Sequence, residues 1–296
     1  MKRTYFITGG AGFIGSHLSE RLLKEGNNII SIDNFNDYYD PILKEKNYEI
    51  VKRTAEENNC HYKLYRGDIR DKNILEEIFN NHSIDGIVSL AANAGVRPSI
   101  EAPEYYVDVN LMGLTNLLEI SKNNGVKSFV FISSSSVYGN NKKVPFSEKD
   151  AVDNPISPYA ATKKAGELLC YTYFVEHDVD VKIIRPTVIH GLYQKYTEQR
   201  VVNEILRCVI EKKDLVMKGL TKKCLMYSLD AISAIFTVLF KGQKGEAYNA
   251  SNPDTFITVK DLANSVFEMF APDVKIVYEI EDNSVSQGYL PTRTLV

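Results

Sequence analysis

Thr4-Tyr5-Phe6-Ile7-Thr8-Gly9-Gly10-Ala11-Gly12-Phe13-Ile14-Gly15 reads as a strand that breaks into a glycine turn and restarts as a helix. Aromatic and β-branched residues fill the first five positions, as strands favour. The glycines are spaced Gly9-x-x-Gly12-x-x-Gly15, and each has its own task. Gly9 makes the tight turn, Gly12 lets the backbone approach a pyrophosphate, and Gly15 allows the helix to pack closely on the strand. The helix start, with Phe13 and Ile14 in its first turn, offers unpaired N–H groups and a partial positive charge to phosphate. A bare glycine pattern carries little weight, but between a strand and a helix it is a dinucleotide-binding fingerprint.

Asp33 ends the next strand, about 20 residues beyond the turn, where a carboxylate accepts hydrogen bonds from the adenosine ribose and repels a 2′-phosphate. That choice favours NAD over NADP. Gly67-Asp68-Ile69 follows a third strand and is placed to meet the adenine edge. Leu90-Ala91-Ala92 follows a fourth, where small residues let a dinucleotide lie close.

Strands are expected at 4–8, 28–33, 62–66, 86–90, 129–133 and 181–185, with helical periodicity between them, clearest at 13–25, 104–123 and 158–175. Such alternation builds βαβ units and a parallel sheet covered on both faces. Phe129-Val130-Phe131-Ile132 is apolar throughout, as a strand buried on both sides requires. The expected fold is therefore α/β, a doubly wound parallel sheet of Rossmann type with a smaller C-terminal α/β lobe for substrate. Residues 1–185, rejoined by 230–250, form the dinucleotide domain in this reading, and 186–229 and 251–296 form the lobe; beyond residue 185, helices are expected at 200–212, 230–241 and 259–270. The segments 34–43 and 139–153 read as surface excursions.

Composition narrows the function classes. The 296 residues carry 35 basic and 38 acidic side chains, a net charge of −3 that argues against a general nucleic-acid binder. Hydrophobic content of 44% with 25% charge suits a soluble folded chain. The most apolar run, 229–240, includes Asp230 and is too short to span a bilayer. The N-terminus runs directly into the glycine turn without a signal-like segment. Cys60, Cys170, Cys208 and Cys224 form no Cys-x-x-Cys pair, which fits reduced thiols and a cytoplasmic location. The histidines make no ligand-spaced cluster, so no metal is expected.

Chemistry is expected at Tyr159 and Lys163, which share a helix face. Tyr48/Lys52 and Tyr138/Lys142 have the same spacing, so context must choose. Only Tyr159 opens the helix after the fifth strand, downstream of the strand end Ser133-Ser134-Ser135-Ser136. Those serines lie at the carboxyl edge of the parallel sheet, where ligands bind. A phenol titrates near 10; a base at neutral pH needs it lowered by roughly 3 units, about 4 kcal/mol. Lys163 and a positively charged nicotinamide provide that together. Ser134 would hydrogen-bond the reacting oxygen.

These residues together resemble the extended short-chain dehydrogenase/reductase superfamily, in its NAD-dependent nucleotide-sugar epimerase/dehydratase group. The resemblance runs through Asp33-Asn34-Phe35-Asn36-Asp37-Tyr38-Tyr39-Asp40-Pro41, Leu90-Ala91-Ala92-Asn93-Ala94-Gly95-Val96-Arg97, Tyr106-Val107-Asp108-Val109-Asn110, the serine run and Tyr159-Ala160-Ala161-Thr162-Lys163-Lys164. It is sharpest to the UDP-glucuronate 4-epimerases of polysaccharide synthesis. It implies tightly held NAD as a recycled oxidant, with Tyr159 taking the proton from the sugar 4-hydroxyl while hydride leaves C4. By carry-over, Asn34, Asn110, Ser133, Tyr159 and Lys163 touch the cofactor. Arg97 lies near the phosphates or the sugar, Ser135 and Ser136 near the substrate, Arg185 at the sugar end and Lys223 on a phosphate. The group dimerises through the helices at 104–123 and 158–175. Its 4,6-dehydratases carry Thr-Asp-Glu where Ser134-Ser135-Ser136 stand, and without that acid pair water elimination lacks its proton donor and acceptor.

Departures fall in the substrate half. Arg185-Pro186-Thr187-Val188-Ile189-His190-Gly191-Leu192 places Val188 where the group has a hydrogen-bonding Asn or Thr. Lys223 replaces an arginine and loses its planar fork. The arginine expected near Gly288 has no counterpart, Arg293 being displaced. The chain ends at Val296 where relatives continue, implying either truncation or a reduced lobe. The expected activity is C4 epimerisation of a UDP-sugar. A sugar reductase or dehydrogenase with the same trio, or an NAD-binding regulator, is the alternative.

Overall fold

The computed structural model describes residues 2–38, 40–194, 201–217 and 222–278. In chain order its first half runs β1 (Thr4–Thr8), α1 (Phe13–Lys24), β2 (Asn28–Asp33), α2 (Pro41–Glu57), β3 (Tyr62–Arg66), α3 (Lys72–Asn81), β4 (Gly86–Ser89), α4 (Val96–Glu101), α5 (Pro103–Val107), α6 (Gly113–Asn123) and β5 (Phe129–Ile132). There follow α7 (Pro158–His177), β6 (Val181–Pro186), β7 (Val188–His190), α8 (Val201–Glu211), β8 (Leu215–Met217), β9 (Lys222–Tyr227), α9 (Ser228–Lys241), β10 (Ala247–Ala250), β11 (Phe256–Thr258), α10 (Val259–Phe270) and β12 (Ile276–Tyr278).

The apolar strands assemble into one seven-stranded sheet, ordered β10-β6-β5-β4-β1-β2-β3, with every pairing parallel. Burial on both faces requires two helical layers. Leu18 and Leu22 of α1, Val51 of α2 and Ile232 and Ile235 of α9 cover one face. Leu75 and Ile78 of α3, Leu114 and Leu117 of α6 and Cys170 of α7 cover the other. Phe6, fully buried in β1, illustrates the stakes: truncating such a side chain to alanine costs about 3–5 kcal/mol. The strand order reverses between β1 and β4, and the carboxyl ends of those strands open the crevice in which such sheets bind ligands.

Beyond β6 the chain builds smaller pieces. β9 pairs antiparallel with β11 and parallel with β7, and β8 pairs parallel with β12. Ile205 and Cys208 of α8, Met217 of β8 and Ala263 and Phe267 of α10 form a core of their own.

Several boundaries differ from the sequence reading for identifiable reasons. The helix expected over 104–123 is divided into α5, a π-helical turn at Asp108–Met112, and α6. The backbone stays right-handed throughout, so the extra residue widens the helix without breaking it. The surface excursion expected over 34–43 ends at Pro41, because Asp40 Oδ1 accepts from Ile42 N at 2.9 Å and Pro41 presets the first helical turn. β4 stops at Ser89, since Leu90 N and Ala91 N both turn to Thr8 Oγ1, at 3.1 and 3.0 Å. β5 stops at Ile132, and Ser134 caps the short 3₁₀ turn Ser135–Tyr138 that follows.

Candidate active site

The glycine turn is tied to the neighbouring strand: Gly9 N and Gly10 N both donate to Ile32 O, at 2.8 and 3.2 Å. Gly15 is required by packing, as a Cβ there would come within 2.1 Å of Gly9 O. Gly12 is different. A Cβ on it would meet only Gly9 O, at 3.1 Å, so this side of the turn is open. Gly12 is also the N-cap of α1 and supplies no side-chain cap to the amides of Phe13, Ile14 and Gly15. Open backbone beside uncapped amides is a cradle for a diphosphate. The residues present fit a dinucleotide at this place.

Asp33 closes the far side, but it is not a solitary carboxylate. Its Oδ2 accepts from Ala11 N at 3.2 Å, and its Oδ1 from Phe35 N at 2.9 Å and Lys44 Nζ at 3.0 Å. Asn34 Nδ2 donates to Asp68 Oδ2 at 2.9 Å. Arg70 donates to both Asp68 oxygens and also binds Asp108. Burial would raise the Asp68 carboxyl, but these donors outweigh it and hold it at about 2. Ile69, expected at the adenine edge, has its side chain in the same apolar core as Leu114. The partly buried Leu90, Ala91 and Ala92 line the β4 exit, and a Cβ on Gly9 would lie 3.3 Å from Ala91 backbone.

The chemical end is built by α7. Ser157 Oγ accepts from Ala160 N at 3.1 Å and Pro158 occupies the first turn, which fixes where the helix begins. Tyr159 is therefore in the first turn, where the helix dipole favours a phenolate. Its ring is half-buried and meets Tyr106 edge-on with centroids 6.3 Å apart. Lys163, one turn on, is buried and donates to Ile132 O at 2.8 Å. Burial pulls its ammonium down to about 8, against the opposing influence of Cys170 and Glu167. Ser134 sits at the end of β5 with Oγ 3.0 Å from Ser136 Oγ.

Three expected contact residues also have hydrogen-bond partners within the protein. Arg185, expected at the sugar, is buried and pairs with Glu167 through Nε at 2.8 Å and Nη2 at 2.7 Å, while Nη1 donates to Tyr138 Oη at 3.0 Å. Ser133 Oγ donates to Glu167 Oε1 at 2.6 Å. The Asn110 amide, on the π turn, donates to Asn93 O at 3.1 Å and Thr162 Oγ1 at 3.0 Å and accepts from Asn93 N at 2.8 Å. Their side chains brace the site from behind. Glu167, Lys44 and Thr8 were not singled out in the sequence, and Tyr138 was noted only for its spacing to Lys142. Glu167 alone carried a signal, four residues beyond Lys163 on the same helix face.

On the substrate side, Ser135 and Ser136 are partly exposed and Arg97 is exposed on α4. Lys223 lies on β9 opposite Ile257 of β11, and burial lowers its pKa. It has no hydrogen-bond or ion-pair partner among the described residues. His190 is half-buried beside Tyr227, and burial lowers it too, Asp230 acting the other way. Gly288, Arg293 and Val296 lie outside the described residues. Among the described residues no helix is long and apolar enough to cross a membrane, and no group of three metal-ligating side chains occurs.

A family model described as the NAD dependent epimerase/dehydratase family matches residues 5–251. A UDP-glucuronate 4-epimerase of Thermodesulfobacterium geofontis (strain OPF15) is 46% identical over 187 residues, 63% of this chain and 56% of that protein. The chain spans about half the length of the curated UDP-glucuronate 4-epimerases it matches. The crystal structure of a UDP-glucose 4-epimerase of Thermotoga maritima with UDP-glucose superposes with a TM-score of 0.84 at 26% identity, over 98% of this chain and 89% of that one. A UDP-glucuronic acid 4-epimerase of Bacillus cereus was solved as a tyrosine-to-phenylalanine mutant with UDP-4-deoxy-4-fluoro-glucuronic acid and NAD. It superposes with a TM-score of 0.82 at 25% identity, over 98% of this chain and 90% of that one.

Proposed function

The chain belongs to the NAD-dependent epimerase/dehydratase family, and on that premise we propose that it epimerises C4 of a UDP-sugar, a UDP-glucuronate-like one, through a 4-keto sugar. The observation that carries this reading is the placement of Tyr159 in the capped first turn of α7, with Lys163 buried behind it and Ser134 at the adjoining strand end. NAD, when bound, supplies a hydride acceptor that is restored in each turnover. Tyr159 takes the proton from the 4-hydroxyl and later returns it. Lys163 and the helix dipole favour the phenolate, and Ser134 holds the reacting oxygen. The uncapped amides of α1 hold the diphosphate, and Asp33 faces the adenosine ribose. The 1–185 and 230–250 segments bind cofactor; 186–229 and 251–296 bind substrate.

Elimination is disfavoured by the same side chains. Ser135 and Ser136 offer hydroxyls where a dehydration would need a proton donor and an acceptor. Lys223, half-buried and without an anion of its own among the described residues, suits a nucleotide phosphate. A second copy of the chain is the proposed partner. Leu168, Tyr171 and Val175 form an exposed apolar stripe on α7, and Tyr105, Val107 and Met112 are exposed on the neighbouring helix. The four unpaired cysteines suit a cytoplasmic enzyme. The test is incubation with UDP-glucuronate, without added nicotinamide cofactor, followed by proton NMR. Appearance of the C4 epimer to an equilibrium mixture is the expected result. Consumption of added NAD(P)H would indicate a reductase, and NAD binding without turnover a regulatory protein.

A further inference from the structure

α2 sends two buried polar side chains, one turn apart, to the nucleotide turn. Asn47 Nδ2 donates to Ala11 O at 3.0 Å, and Lys44 Nζ donates to Asp33 Oδ1 at 3.0 Å and to Asn36 Oδ1 at 3.0 Å. The Lys44 and Asp33 side chains are only 5% and 4% exposed, so this is an enclosed ion pair at the position that selects the cofactor.

Counting donors and acceptors shows what the pair can still do. A carboxylate offers about four acceptor positions, and Asp33 has given three, to Ala11 N, Phe35 N and Lys44 Nζ. One remains, on Oδ2, so Asp33 can take one ribose hydroxyl and not both. Lys44 has used two of three N–H donors, and one remains. The charges also combine: a 2′-phosphate nearby would meet a carboxylate with an ammonium 3.0 Å from it, close to a neutral dipole instead of a bare negative charge.

We infer that Lys44 is a specificity-determining residue, which sets the 2′ selectivity of the dinucleotide site by offsetting Asp33. The inference rests on the NAD reading above. It predicts that the chain prefers NAD over NADP only moderately, and that the preference is governed by the pair and not by Asp33 alone.

The experiment is calorimetric titration of NAD⁺ and NADP⁺ into cofactor-stripped protein, with the ratio of the two dissociation constants as readout. Lys44→Met should raise the preference for NAD at least about tenfold, because the carboxylate is no longer offset, and Lys44→Arg should hold the ratio within about threefold. Asp33→Asn, nearly isosteric and the safer variant for folding, leaves the ammonium uncompensated and should turn the preference to NADP. If Lys44→Met misfolds, Asp33→Asn alone decides. A ratio unmoved by Lys44→Met, or an Asp33→Asn protein that merely binds the two dinucleotides equally, overturns the role of Lys44 while leaving NAD binding intact. Failure of the unaltered chain to bind either dinucleotide overturns the cofactor reading and this inference with it.

Discussion

Arg185 and Glu167 meet in a two-point ion pair, Nε to Oε1 at 2.8 Å and Nη2 to Oε2 at 2.7 Å, with both side chains buried. Glu167 Oε1 also accepts from Ser133 Oγ, and Arg185 donates to Tyr138 Oη, which in turn donates to Asn249 Oδ1 at 2.7 Å. The network joins α7, the ends of β5, β6 and β10, and the 3₁₀ turn. It therefore fixes the serine strand end relative to the helix that carries Tyr159.

Breaking this pair on one side should be costly. Glu167→Gln leaves the Arg185 charge buried without its counterion, and the loss of stability should reach about 3–5 kcal/mol in urea denaturation. The double variant Glu167→Gln/Arg185→Met removes both charges and should recover much of that loss. A Glu167→Gln protein as stable as the unaltered chain would show that the pair does not hold the site together.

Lys163 should leave a pH signature. Its ammonium titrates at about 8 in the folded chain against about 10.4 when unfolded, so its charged form opposes folding. The cost, on the order of 3 kcal/mol, is full below about pH 8 and fades as pH rises from 8 towards 10.5. The melting temperature of the unaltered chain relative to Lys163→Met should therefore rise between pH 7 and pH 10. A difference that is constant with pH would contradict the buried ammonium.

The two ends of the site were not equally legible. The glycine turn, Asp33, the serine run and Tyr159/Lys163 could be read because backbone geometry and helix spacing force particular residue types into fixed positions. Arg185 and Asn110 were read as ligand contacts, and their partners within the protein were not foreseen. A sequence shows that a polar group is present but not that a distant carboxylate or amide already satisfies it. Glu167 is 18 positions from Arg185, and Asn93 is 17 from Asn110. Lys44 lies just beyond the segment read as a surface excursion, and nothing in the sequence shows that its ammonium folds back onto Asp33, 11 positions away. The π turn at Asp108–Met112 leaves the hydrophobic pattern almost unchanged, so nothing in the periodicity announces it.

Tyr159→Phe should leave NAD binding nearly unchanged and cut turnover by roughly 10²–10⁴, the scale of a general base. Calorimetry and NMR on the same preparation separate the two effects. Full activity of this variant would remove Tyr159 from the mechanism.

Nucleotide binding should be weak. The family resemblance implies a forked arginine where Lys223 stands; a lysine there forgoes one charge-assisted hydrogen bond, worth about 1.5–3 kcal/mol, or roughly ten- to a hundredfold in affinity. Calorimetry with UDP alone should give a dissociation constant towards the millimolar range. Lys223→Met should weaken it further and Lys223→Arg should tighten it. Low-micromolar UDP binding, insensitive to Lys223, would show that other residues grip the phosphates.

The central claim is that hydride leaves C4 and returns to the same carbon within one bound complex, with Tyr159 moving the proton. UDP-glucuronate carrying deuterium at C4 tests this directly, without added nicotinamide cofactor. The account predicts that the deuterium stays at C4 in the epimer and that none appears in solvent. Loss of the label, or conversion that stops unless NAD(P)H is supplied and consumed, would contradict it.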